Sequence, residues 1–267
     1  VHTPRDIQWN GRTYITEYER AEYAKRFIKT CREKGLHAVA ITDHHDTVFY
    51  KYIKHAALSE VTESGEPVDE TERIVIFPGI EVTIAEPPAQ VLILFDPDID
   101  VGIYNQVPIK LGITPSPETE AKTCEIVQLK LSVVDIIERL CEIPELINKF
   151  IILPNVTPNG HKNFLRKGYH TYFKDLPCVG GYIEGILYED LGEGTKNILE
   201  GRDATWSSRS YGVFQTSDCR QDDLRTLGEF STWVKWTKPS AEALRQACLS
   251  KTNRISHRQP TIPKVYI

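Results

Sequence analysis

The chain contains no methionine among its 267 residues, although a chain of this length ordinarily carries several and Met is a common filler of core gaps. No apolar run approaches the length that spans a bilayer, and no charged-then-apolar leader opens the chain, so a soluble, cytoplasmic protein with no membrane partner is expected. An excess of positive charge is also missing: 32 Lys and Arg face 37 Asp and Glu, for a net charge of −5, which excludes a general basic field of the kind that marks nucleic-acid binders. Local basic patches remain at Arg202, Arg209, Arg220 and Arg225, and at Lys162, Arg166 and Lys167. Solvated surface charge and phosphate contact are equally open readings of them. The cysteines, Cys31, Cys124, Cys141, Cys178, Cys219 and Cys248, show no Cys-x-x-Cys spacing, which argues against a zinc ribbon or a disulfide scaffold and for reduced, mostly buried thiols. There is no internal repeat and no low-complexity tract.

What is present is a set of apolar runs that break into acids and imidazoles. Val39-Ala40-Ile41-Thr42 runs into Asp43-His44-His45-Asp46, Ile74-Val75-Ile76-Phe77 into Pro78-Gly79-Ile80-Glu81, and Tyr211-Gly212-Val213-Phe214-Gln215-Thr216 into Ser217-Asp218. Strands of α/β folds present such groups at their carboxyl ends, where active sites are built. His2 adds another imidazole near the start. Imidazole nitrogen together with carboxylate oxygen suits Mn²⁺, Zn²⁺ or Fe rather than Mg²⁺ or Ca²⁺, so the pattern reads as a divalent transition-metal site.

The remaining periodicities predict repeated strand–helix units. Thr16 and Glu19 form a capping-box pattern ahead of a helix with Ala21, Ala24, Phe27, Ile28 and Cys31 on one face, and Gly35 is placed to end it. Further helices are expected over 47–58, 132–143 and 240–249, and buried strands over 37–42, 150–153 and 183–187. This alternation predicts an α/β fold with a parallel sheet, which seven or so strands would close into a barrel. The segment 97–123, Gly180-Gly181 and the stretch 191–210 read as long connections. His37, His55 and His257 read as structural or surface histidines, and the Cys219 side chain is expected to face away from Asp218.

Val1-His2-Thr3-Pro4, Thr42-Asp43-His44, Gly79-Ile80-Glu81 and Ser217-Asp218-Cys219-Arg220 follow, in order and over nearly all of the chain, the motifs of the polymerase and histidinol phosphatase (PHP) superfamily of metal-dependent phosphoesterases, which the chain resembles. Phe77-Pro78-Gly79-Ile80-Glu81 followed by Val91-Leu92-Ile93-Leu94-Phe95-Asp96-Pro97-Asp98 is most similar to the TrlF-like branch, in which a PHP domain precedes an SMC-like ATPase. The resemblance implies a distorted (β/α)7 TIM-like barrel over 1–257, and an exit linker over 258–267 toward a C-terminal ATPase region in the same polypeptide. It also departs from the pattern. The first His of the opening pair would precede Val1, Gln90 and Leu153-Pro154-Asn155 stand where imidazoles are usual, and Arg220 replaces the last His. Too few ligands remain for a trinuclear site. His2, His44, Glu81 and Asp218 are left as metal ligands for one or two ions, with His45, His161, His170 or Asp6 to make up part of the deficit.

Metal-assisted phosphoester hydrolysis is the chemistry such a set supports, since bound cations polarise phosphoryl oxygens and offset charge on the leaving oxygen. Glu81, Asp218, His44 and Arg220 are the expected catalytic residues, with Glu81 bridging, Asp43 orienting an imidazole, and the Arg220 fork holding a phosphate oxygen. Two functions follow. One is a nuclease acting on DNA or RNA, in nucleic-acid processing or anti-phage defence, as a possible homo-oligomer; the other is a catalytically weakened module that serves its ATPase partner.

Overall fold

A computed structural model describes residues 1–123 and 125–260; Cys124 and residues 261–267, most of the expected exit linker, lie outside the described residues. The class is α/β, as the alternation implies. Helix α1 (Glu17–Glu33) starts at the capping box of Thr16 and Glu19, and strand β1 (Ala38–Ile41) follows it. Then come α2 (Val48–Leu58), β2 (Val75–Ala85) and β3 (Pro88–Phe95). The expected 97–123 connection carries two short helices, α3 (Val101–Tyr104) and α4 (Val107–Lys110), and leads to β4 (Gln128–Leu129) and α5 (Val133–Cys141). Strand β5 (Phe150–Pro154), α6 (His170–Asp175), β6 (Gly180–Glu184), α7 (Glu193–Leu199) and β7 (Gly212–Thr216) complete the middle of the chain. It ends in β8 (Trp233–Val234), α8 (Ala241–Leu249), α9 (Lys251–Arg254) and β9 (Ile255–Ser256).

One expectation is corrected and another is met only in part. The sheet is mixed rather than parallel: β1 pairs parallel with β2, but β3 lies antiparallel between β2 and β5. Only Glu86 and Pro87 connect β2 to β3, and so short a link can join only antiparallel neighbours. The described strands also form no closed barrel. The path β1-β2-β3-β5 reaches the parallel pair β6-β7 through the single bridge Asn155–Tyr182. Residues 1–3 span the remaining edge: the Thr42 N–H donates to the Val1 carbonyl (2.9 Å), and the His2 N–H to the Cys219 carbonyl (3.0 Å).

Alternation along each strand separates two cores. Ile76, Ile80, Val91, Ile93 and Ile152 belong to the larger one, shared with Phe27, Ile53 and Ile136 of the helices. Phe77, Leu92, Leu94, Ile151, Leu153, Tyr182 and Phe214 face the other way and pack with Ala241, Leu244 and Cys248 of α8. Without methionine, both are filled by aromatic and branched side chains. The inner face therefore has an apolar layer covered by α8, and the same alternation carried onward sets Glu81, Gln90, Asn155 and Glu184 beyond it.

A second correction concerns β6, which starts at Gly180 and ends at Glu184 instead of covering 183–187. Gly180 and Gly181 belong to the strand, not to a loop, because a Cβ on Gly180 would strike the Cys248 side chain and one on Gly181 the Pro154 carbonyl (2.9 Å). Gly185, at φ 64°, turns the chain out of the strand. Among the described residues no helix is long and apolar enough to cross a membrane.

The closeness of α8 to the parallel pair is testable. A Cβ at Gly212 would meet the Cys248 backbone, whereas one at Gly194, inside α7, meets nothing within 4 Å. Gly212→Ala is expected to destabilise by about 1–3 kcal/mol through overpacking, and Gly194→Ala to be neutral or stabilising by up to about 1 kcal/mol, as read from denaturant midpoints.

Candidate metal centre

The four expected ligands converge. His44 forms a parallel bridge with Glu81, which sets the segment after β1 beside the middle of β2, and the His2–Cys219 hydrogen bond draws the start of the chain against the segment after β7. His2 Nε2 stands 3.3 Å from Glu81 Oε2 and 3.0 Å from Asp218 Oδ1, and His44 Nε2 stands 3.6 Å from Glu81 Oε1. The two imidazoles stack with centroids 5.0 Å apart and planes 9° from parallel. Donor atoms of His2, His44 and Glu81 lie within 4.8 Å of one another, all three residues being buried, and Asp218 adjoins this group through His2.

Asp6 organises the pair. Its Oδ2 lies 2.8 Å from His2 Nδ1 and 3.0 Å from His44 Nδ1, and also accepts the His44 backbone N–H at 2.8 Å; Oδ1 accepts the Gln8 N–H at 2.7 Å. An ionised carboxylate only accepts, so each ring keeps its proton on Nδ1 and turns Nε2 toward Glu81 and Asp218. Nitrogen lone pairs and carboxylate oxygens facing each other at this range need a positive charge between them. A proton on each ring satisfies that need, and so does a divalent cation with N and O ligands. The residues therefore fit such an ion, and the carboxylate behind each imidazole is the usual support of a metal-binding histidine.

Asp43 does not take the role expected of it. Its oxygens accept the Thr3 N–H (2.5 Å) and hydroxyl (2.6 Å), and its nearest approach to a His2 nitrogen is 3.9 Å. It anchors the opening segment, while Asp6 orients the rings. Arg220 is in the site, with Nε on Asp218 Oδ1 at 2.7 Å and Nη2 3.8 Å from Glu184. Gln90 Nε2 lies 3.5 Å from His44 Nε2. His45 is buried in a left-handed conformation (φ 57°), and neither ring nitrogen has a partner among the described residues, but it joins no metal-competent group of side chains. His161 and His170 are exposed, the latter against Trp206, and do not join either. Cys219 packs in the larger core, away from Asp218, and the five described cysteines are free thiols, of which only Cys141 is exposed. His37 lies against Trp233, His55 is exposed on α2, and His257 contacts the Val213 carbonyl.

Glu184 escaped the sequence reading because the strand carrying it was placed three residues late. It faces Asp218 and Arg220, and burial, the Asp218 carboxylate and Glu81 push its carboxyl up to about 8, against the pull of Arg220. Burial also opposes ionisation of Glu81, yet hydrogen bonds from His2 and His44 bring it down to about 2. Burial disfavours the charged form of His2, but Asp218, Asp6 and Glu81 outweigh it and raise its pKa well above the ordinary imidazole range; His44 is raised in the same way by Asp6 and Glu81. Asp218 and Asp6 are lowered by the imidazoles despite burial, whereas burial and the Asp6 charge push Asp43 up to about 7. His45 falls to about 4 through burial and the adjacent His44.

No family model and no curated protein matches the chain. Among solved structures, it is similar to a Bifidobacterium adolescentis protein described as a "putative metal-dependent phosphoesterase", with 12% identity, 92% of this chain and 93% of the other covered, and a TM-score of 0.44. A likeness of that size carries no argument, and the site stands on its own geometry.

Two outcomes follow for chelator-treated protein. Removing Asp6 leaves two buried imidazoles and the His44 N–H without their acceptor, so Asp6→Ala should destabilise by about 3–5 kcal/mol in denaturant titrations. Glu184 is neutral in folded and unfolded chains below its ordinary value of 4.5, and folding resists its ionisation as pH rises toward about 8. Its contribution to stability is therefore present at low pH and lost across that window. Glu184→Gln should match wild-type stability at about pH 4 and exceed it at about pH 9; equal stability at both would contradict the assignment.

Proposed function

We propose that the chain is a metal-dependent phosphoesterase whose ion or ions are held by His2, His44, Glu81 and Asp218. The observation that carries this reading is the Asp6 carboxylate holding both Nδ1 atoms, so that two buried Nε2 atoms face carboxylate oxygens at 3.0–3.6 Å. Mn²⁺, Zn²⁺ or Fe, when bound, supplies Lewis-acid polarisation of a phosphoryl oxygen and an acidified water. Glu81 offers one oxygen toward each imidazole, which suits a bridging position. Asp218, at His2 Nε2, would complete the set, and Arg220, beside it, would orient a phosphate oxygen through its planar guanidinium. In this reading the two sheets, joined by the Asn155–Tyr182 bridge and spanned at the remaining edge by residues 1–3, are a distorted relative of the (β/α)7 barrel. The resemblance of 77–98 extends the proposal to DNA or RNA as substrate and to an SMC-like ATPase region as partner in nucleic-acid processing or defence.

A specific observation favours a second reading, a weakened module regulating that partner. The Gln90 amide stands at the His44 nitrogen, and Arg220 already occupies an oxygen of Asp218. An amide binds a cation more weakly than an imidazole, and an arginine on a ligand oxygen competes with the metal. Metal content and turnover separate the two. The phosphoesterase is expected to bind Mn²⁺ or Zn²⁺ in calorimetry and to hydrolyse bis(4-nitrophenyl) phosphate, with kcat reduced about 100-fold or more by Glu81→Gln or Asp218→Asn, and with KM raised by Arg220→Ala. No bound ion and no turnover with either metal would overturn it in favour of the module.

A further inference from the structure

We infer that the segment 161–174 is a landing surface for single-stranded nucleic acid beside the metal centre; the identity of its ligand as substrate rests on the phosphoesterase reading, whereas the surface itself does not. No carboxylate occurs between Glu145 and Asp175, so in a chain of net charge −5 this stretch is locally cationic. Lys162, Arg166, Lys167 and Lys174 each lack a carboxylate within ion-pair distance among the described residues, whereas cations elsewhere are commonly paired, as Arg26 is with Asp222 and Arg32 with Glu60. Repulsion among unpaired cations and their unmet hydrogen-bonding capacity favour a polyanion over a neutral surface.

Aromatic rings interleave with these charges. Tyr172 is 48% exposed, and its ring meets that of Tyr169 edge to face at 5.9 Å. The Arg166 guanidinium lies 5.9 Å from the centre of the Tyr169 ring. Exposed tyrosine rings next to guanidinium and ammonium groups form the usual platform on which bases stack while phosphates meet the cations, and only unpaired bases offer their faces to it. A duplex keeps its bases stacked inside, so the tyrosines favour a single strand.

The segment adjoins the site at its Lys162 end. The Lys162 carbonyl accepts the Gln90 N–H at 2.8 Å, the Lys162 ammonium reaches the Thr83 hydroxyl at 3.5 Å, and the Gln90 amide is 3.5 Å from His44 Nε2. A strand running from the tyrosines to Lys162 would have a phosphate led toward the metal ligands.

The test is fluorescence anisotropy with the whole chain, in chelator, using a labelled oligodeoxythymidine of about 12 nucleotides and a duplex of equal length. The single strand should bind at least about tenfold more tightly than the duplex, with a slope of log K against log salt of about −3 if all four cations engage phosphates. Tyr172→Ala and the double reversal R166E/K167E should each weaken binding about tenfold or more, Tyr172→Phe should retain it, and unchanged thermal midpoints should show that the variants fold. Equal or tighter duplex binding, wild-type affinity in Tyr172→Ala and the reversal, or no binding at all would overturn the inference. Hydrolysis of bis(4-nitrophenyl) phosphate by the wild-type chain reads the metal centre separately. Turnover without strand binding sinks the surface alone, and strand binding without turnover sinks the phosphoesterase reading alone.

Discussion

A single carboxylate oxygen, Oδ2 of Asp6, takes the Nδ1 groups of His2 and His44 and the His44 backbone N–H together. An ionised carboxylate buried without such donors would be costly, and two buried imidazoles without an acceptor equally so, which makes the three residues mutually dependent. Because His2 and Asp6 lie at the start of the chain and His44 after β1, the same oxygen holds the opening segment across the open edge of the sheet. Asp43 reinforces that attachment through Thr3. The candidate metal centre and the attachment of the opening segment are thus one hydrogen-bonded unit, and the Nε2 atoms point where they do because the opposite side of each ring is occupied.

The inner face of the sheet accommodates charge at one level because apolar side chains and α8 fill the other. Gly180 and Gly212 let α8 come close enough to cover the parallel pair, and Asp96 caps the start of that helix by accepting the Ala241 N–H at 2.6 Å. On the side of the opening segment, Arg5 is fully buried and joins Asp46 (2.7 Å) to carbonyls of Ser116, Pro117 and Glu120. This arginine ties the long excursion after β3 to the residues that follow His2 and His44. The buried charged groups named here are in this way paired or aimed at one another, and the His45 ring, which burial keeps neutral, has no hydrogen-bond partner among the described residues.

Much of the local structure was legible. The Thr16–Glu19 capping box, the strand at 38–41, the helices α2, α5 and α8 and the strand β5 lie within a few residues of their sequence expectation, since caps, apolar periodicity and turn residues act over a few positions. His44, Glu81 and Asp218 stood out because each ligand-type side chain follows an apolar run, and His2 as an imidazole in the opening motif. Glu184 did not, since Gly180-Gly181 reads as a loop until the Cys248 side chain that requires glycine there is known. The antiparallel β3 was hidden for a related reason: whether Glu86-Pro87 is a turn or an interruption depends on what the flanking strands pair with.

By itself the sequence determined which side chains are chemically able to form a centre, the absence of a general basic field, and the strand and helix elements whose signals are short-range. Only the tertiary structure decided that Asp6 rather than Asp43 orients the imidazoles, that Arg220 rests on Asp218, that Glu184 joins them, and that the strands leave an edge for residues 1–3 to span. Those partnerships link positions from a few to more than two hundred residues apart, and their energies depend on burial and on the direction of approach, which arise only when the two faces of the sheet are packed.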